Sequence, residues 1–146
     1  MVAFGGTIVC QGNGVHGVAV DSKAGLDLDA AALLNSHDNV GDGVHLEETS
    51  VLTLFNTTAF SGAPGTITIQ TSHNGGNGVS ILTGSNLTAI HQASVISHGN
   101  TGVGVQADNG SSLTLINSDV TGQTPDILLS FGSRSDITTS TMAHQL

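Results

Sequence analysis

Gly102-Val103-Gly104-Val105, followed by Ser112-Leu113-Thr114-Leu115-Ile116-Asn117-Ser118, is the stretch that decides how this chain folds. Its opening phrase recurs as Gly17-Val18-Ala19-Val20, Gly43-Val44-His45-Leu46 and Gly78-Val79-Ser80-Ile81, with a degenerate copy at Asp126-Ile127-Leu128-Leu129. Successive copies start 26, 35, 24 and 24 residues apart. A second alternating strand follows each one: Leu26-Asp27-Leu28, Val51-Leu52-Thr53-Leu54, Leu87-Thr88-Ala89-Ile90, Leu113-Thr114-Leu115-Ile116 and Ile137-Thr138-Thr139. A third short apolar stretch closes the unit at Leu33-Leu34, Ala59-Phe60, Val95-Ile96 and a weaker Val120.

Short strands with period-two alternation, separated by Gly, Asn and Ser turns, read as β-structure. Three of them per unit of roughly 24–26 residues define a coil, and coils that copy one another stack in parallel. One coil is too small to bury its own apolar face, so neighbouring coils must supply the core. The expected fold is therefore all-β: a right-handed single-stranded parallel β-helix of about five coils, one domain over 1–146 or a fragment of a longer solenoid. At ~4.8 Å per rung the rod would be ~20–25 Å long. The 35-residue interval predicts an insertion near 61–70, with a loop at Ser61-Gly62-Ala63-Pro64-Gly65 and an extra strand at Thr66-Ile67-Thr68-Ile69. A β-sandwich or barrel also has short strands, but its strands rarely repeat one phrase in one order. A β-propeller needs blades of about 40 residues.

The phrase G-V-x-V … S-x-L-T-L-x-N-S over Gly102–Ser118 resembles the repeats of pectate-lyase-like right-handed parallel β-helix proteins. Pro125-Asp126-Ile127-Leu128-Leu129-Ser130-Phe131-Gly132-Ser133 is similar to the final rungs of uncharacterised bacterial members. That superfamily includes polysaccharide lyases and hydrolases, phage tailspikes and autotransporter passenger domains. The resemblance covers nearly the whole chain and is specific for fold, since the repeated residues are those that build the coil. It implies a bacterial or phage protein of the cell or virion surface, or an extracellular one.

Composition narrows the function. Lys23 and Arg134 are the only Lys or Arg residues and the net charge is −9. Two cations cannot replace the counterions of a nucleic acid, and a polyanionic polysaccharide meets the same objection. Phe4, Phe55, Phe60 and Phe131 are the only Phe, Tyr or Trp residues, so stacking platforms for sugars or bases are scarce. Cys10 stands alone, which excludes an internal disulfide. No long apolar run suggests a signal peptide, a transmembrane span or membrane insertion.

Two constellations could carry chemistry. Ser36-His37, Ser72-His73 and Ser97-His98 each precede a Gly-Val phrase, which predicts a column of His37, His73 and His98 with Cys10 at one end. Imidazoles can bind a divalent metal, so one is a candidate ligand here although no cofactor is required. Stacked turns also reuse a polar residue simply to bond the next turn, and collinear ligands suit tetrahedral coordination poorly. Asp21 and Glu47 follow their strands at one position, with Glu48, Asp27 and Asp29 nearby; Asp21, Glu47 and Glu48 are the candidate glycosidase carboxylates. Leu82, Gln106 and Ser130 are expected at that position in later coils. The family's lyases combine calcium-binding acids with basic residues, and two cations cannot reproduce that arrangement.

Three further readings are structural. Asp38-Asn39-Val40-Gly41-Asp42-Gly43 offers oxygen ligands for Ca²⁺ but lacks the EF-hand spacing and reads as a turn. Asn56, His91 and Asn117 lie at matching places and suggest an internal polar ladder. The sequons at Asn56, Asn86 and Asn109 are what Ser/Thr/Asn-rich turns produce freely. The function expected is a structural or binding solenoid module without catalysis of its own. It would self-associate through exposed coil ends or be attached to a larger protein, with neutral carbohydrate as a further candidate ligand. The alternative is a carbohydrate-active enzyme, or its remnant, built on the stacked carboxylates.

Overall fold

A computed structural model describes residues 2–30, 32–57, 65–122, 124–138 and 140–142. Strands β1 (Val2–Phe4), β2 (Thr7–Gln11) and β3 (Val18–Val20) make the first turn of a solenoid. The second turn holds β4 (Gly25–Asp29), β5 (Leu33–His37) and β6 (Val44–Leu46). The third holds β7 (Val51–Phe55), β8 (Ile67–Ser72) and β9 (Val79–Ile81). The fourth holds β10 (Asn86–Ile90), β11 (Ala93–His98) and β12 (Val105–Ala107). The fifth holds β13 (Ser112–Ile116), β14 (Asp119–Thr121) and β15 (Ile127–Leu129), after which β16 (Arg134–Thr138) and β17 (Thr141–Met142) begin another. Every third strand pairs, so the turns close three sheets: β1-β4-β7-β10-β13-β16, β2-β5-β8-β11-β14-β17 and β3-β6-β9-β12-β15. All the pairings are parallel, and no described helix is long and apolar enough to cross a membrane.

Alternation makes the core. In β7, Leu52 and Leu54 are fully buried while Val51 and Phe55 face out. The register carries each inward residue onto its copy, so Leu28, Leu54, Ala89, Leu115 and Ile137 form one column. Leu34, Ile69, Val95 and Val120 form another. Burying each such side chain contributes roughly 1.5–3 kcal/mol, realised only when the next rung is in place.

The register corrects three expectations. Val18, Val44, Val79, Val105 and Ile127 share a column, so the fourth copy is Gly104-Val105-Gln106-Ala107 and the steps are 26, 35, 26 and 22 residues. Two glycines two residues apart made Gly102 look like the repeat start. Consequently Asp108, not Gln106, follows Leu82 in the column of Asp21 and Glu47; its amide bonds Ile81 O as Leu82 bonds Leu46 O. Thr66–Ile69 adds no extra strand: Ile67–Ser72 is the regular second strand of its turn, between β5 and β11. The surplus length falls before it, and Ala59-Phe60 with Ser61–Pro64 lie outside the described residues.

One corner of the coil is polar throughout. Asn13, Asn39, Asn74 and Asn100 stack, each backbone N–H and side-chain amide donating to the next Oδ1 at 2.8–3.1 Å. Behind them Ser36, Thr71 and Ser97 are fully buried, and Ser36 Oγ donates to Gly43 O at 2.7 Å. This explains the repeated glycine. A Cβ at Gly43 would sit 2.7 Å from Gly78 O, and one at Gly78 would overlap Ser97 Oγ, Thr71 Oγ1 and Gly104 O. The ladder is therefore C/S/T-x-x-N-x-x-x-G, not the Asn56, His91 and Asn117 set. Those three share a column too, but His91 and Asn117 adopt φ of 61° and 50° and turn a different corner.

Candidate functional site

The densest arrangement of titratable groups lies where the polar corner enters the third sheet. His16 and Asp42 each precede the repeat glycine, and the amide of Gly17 bonds Asp42 O across the two rungs. His45 occupies the outward position of β6 between buried Val44 and Leu46. Its partner on the neighbouring rung is Ala19, whose short side chain leaves the imidazole face open. His16 fills that space: the rings stack with centroids 4.0 Å apart and planes 18° from parallel.

Asp42 organises both rings. Its Oδ2 lies 2.8 Å from His45 Nδ1 and 3.5 Å from His16 Nδ1. Its Oδ1 accepts the Asn77 amide at 2.7 Å, and its own amide donates to His16 Nδ1 at 3.0 Å. On the far side of His45, Nε2 faces Glu47 Oε2 at 3.4 Å. The network continues along the sheet, where Asn77 Nδ2 donates to Ser80 Oγ and to Gln106 Oε1.

These contacts drive the two imidazoles apart in basicity. The hydrogen bond to Asp42 raises the His45 pKa against the effect of burial, with Glu47 adding to the rise. Burial lowers that of His16, and the charge of His45 lowers it further. Burial pushes the Asp42 carboxyl up, but hydrogen bonds from His45, the Asn77 amide and Ser80 outweigh it and hold the group below the usual range. The two imidazoles are thus displaced in opposite directions, His45 upward and His16 downward. The rings stack face to face, with Asp42 Oδ2 near the Nδ1 atom of each.

The residues singled out from sequence are distributed differently. Gln11, His37, Ser72 and His98 share a column, so the second Ser-His pair is offset by one: His73 stands a residue further on, at φ 54°, with its ring 5.8 Å from His98. Cys10 aligns with Ser36, at the end of the hydroxyl column instead of the histidines, and burial raises its thiol pKa. His37 pairs with Asp38 at 2.8 Å. Asp38 and Asp42 of the proposed calcium loop thus turn to different partners.

Asp21 and Glu47 do follow adjacent rungs at one position. Glu47, however, turns to His45, and Glu48 accepts from Ser22 Oγ at 3.0 Å. Glu48 lines a depression of about 380 Å³ with Ser22, Lys23, Thr49 and Thr83, whereas Asp21 lines a separate one of about 220 Å³. Asp29 accepts from Thr57. None of His16, Asp42 and His45 belongs to a Ser-His pair, so that motif carries no signal for the cluster. Superposing Gly17 on Gly43 and reading the positions just before and two after the glycine brings out all three residues. The chain matches no family model, and no curated protein or solved structure is significantly similar to it.

Proposed function

We propose that this chain is a structural or binding module, a solenoid segment that stacks onto further β-structure through its terminal rungs. The observation that carries the reading is the last rung of the third sheet. There Leu129 of β15 is 37% exposed, whereas Ala107, Ile81 and Leu46 of its column are fully buried, and Leu128 and the neighbouring Phe131 are exposed beside it, Phe131 by 81%. At the opposite end Val9 and Val15 are exposed as well. Unpaired strand edges flanked by apolar side chains are templates for another strand. All the sheets are parallel, so β15 of one copy can continue onto β3 of the next in the register used within the chain, a head-to-tail contact.

The resemblance to pectate-lyase-like β-helices fits such a role at a bacterial or phage surface, where tailspike stems and passenger domains are rods. Scarce aromatic side chains, and the engagement of Glu47 by His45 and of Glu48 by Ser22, support a module over a glycosidase. Sedimentation velocity over a wide concentration range tests this. The expected result is a mass that rises with concentration for the natural chain and stays monomeric for the Leu128→Asp, Phe131→Asp double variant. A natural chain that remains monomeric at millimolar concentration would remove the basis for the reading.

A further inference from the structure

We propose that His16, Asp42 and His45 form a binding site for a divalent transition metal ion of the zinc class, held through His16 Nδ1, Asp42 Oδ2 and His45 Nδ1. One donor atom from each residue lies within 4.8 Å of the others, the one such trio among the described residues. Two imidazoles and a carboxylate are a donor set that zinc, nickel and copper share and that calcium and magnesium do not favour.

The distances suit an ion of this size. With metal–ligand bonds of 2.0–2.1 Å, two ligands of a tetrahedral ion stand about 3.4 Å apart. The His16 Nδ1 to Asp42 Oδ2 separation of 3.5 Å already matches, and the 2.8 Å between Asp42 Oδ2 and His45 Nδ1 is that of a shared proton. The ion takes the place of that proton, which leaves to solvent. The His16 Nδ1 lone pair now accepts the Asp42 amide, so the ring must turn off that bond and out of the stack to reach the metal.

Supporting contacts outside the trio are already made. A ligating histidine commonly offers its other ring N–H to a carboxylate, and Glu47 stands 3.4 Å from His45 Nε2 for that purpose. The Asn77 amide fixes Asp42 Oδ1, which leaves Oδ2 for the ion. The side chains of His16, Asp42 and His45 are 23%, 12% and 15% exposed, so an ion can enter and its remaining position opens to water. The His37, His73 and His98 histidines serve as an internal control, because the register sets Ser72 between His37 and His98 and leaves His73 outside their column.

The test is titration of the tag-free chain with ZnCl₂ by calorimetry, alongside long-range ¹H–¹⁵N spectra of the histidine rings. One Zn²⁺ per chain is expected, with the Nδ1 resonances of His16 and His45 displaced and an enthalpy that varies with buffer because a proton is released. His16→Gln and His45→Gln should each weaken binding at least about a hundredfold, and Glu47→Gln about tenfold. A chain carrying His37→Gln, His73→Gln and His98→Gln should bind within about threefold of the natural one. Far-UV circular dichroism checks that each variant is folded, and the ring spectra of the natural chain decide the matter if one is not. Absence of stoichiometric Zn²⁺ binding, displacement of His73 or His98 signals instead, or equal binding of Ca²⁺ would overturn the proposal.

Discussion

The second to fourth turns and the last rungs have the same architecture but different surroundings. In the middle, Leu52, Leu54, Ile69, Val79, Ile81 and Leu87 are fully buried, and the repeat glycines pack against buried hydroxyls. In the fifth turn the step shortens to 22 residues, the described asparagine ladder has ended at Asn100, and Asp126 replaces the glycine. There Leu128 and Leu129 are exposed where Gln106 and Ala107 are half-buried and buried. The difference shows that no rung is stable by its own sequence. A rung is as stable as the neighbours on both of its faces.

The sharpest way to break the middle is to add one methyl group. Gly78→Ala would place carbon onto Ser97 Oγ, Thr71 Oγ1 and Gly104 O, and should cost more than about 4 kcal/mol or prevent folding. Gly14→Ala meets nothing within 4 Å and should change stability by less than about 0.5 kcal/mol. Urea denaturation of both variants measures the contrast. Core truncation comes next: Leu54→Ala should lose about 3 kcal/mol, whereas Leu129→Ala, 37% exposed, should lose under about 1.

Asn74 is bonded on both sides in the ladder, and Asn13 is a terminal, exposed member. Asn74→Ala strands the Asn39 amide groups and should destabilise by about 2–3 kcal/mol, against under about 1 for Asn13→Ala in the same denaturation series. The smallest effect lies at the corner between the third and first sheets. Ser22-Lys23 and Glu48-Thr49 adopt positive φ at both residues, where later turns use Thr83-Gly84, Asn109-Gly110 and Phe131-Gly132. A β-branched residue at φ 62° is strained. Thr49→Gly should raise the melting temperature, with a gain of about 1 kcal/mol.

The fold was legible in the sequence because its period is written in residues with no alternative role. A glycine, two alternating aliphatics and a turn recur, and their sum over five coils overrides any single ambiguous position. Register was less legible: Gly102 and Gly104 both fit the phrase, and only the hydrogen bond from Gly104 to Pro125 O and the close approach to Asp126 choose between them. The site was least legible. His16 and Asp42 share one repeat position, but His45 holds another, and it meets His16 because Ala19 is small enough for His16 to lean across one rung onto it. Repeat spacing brings the three residues onto adjacent rungs, but the stacking of His16 on His45 depends on side-chain size and not on spacing.

The most direct test of terminal-rung docking is backbone hydrogen exchange on the natural chain at low and at high concentration. Amides of β3, β15 and β16 should gain protection as concentration rises, while those of β7 and β10 stay equally slow throughout. Protection that is independent of concentration, or that grows instead on the outward loops between the sheets, would contradict the account.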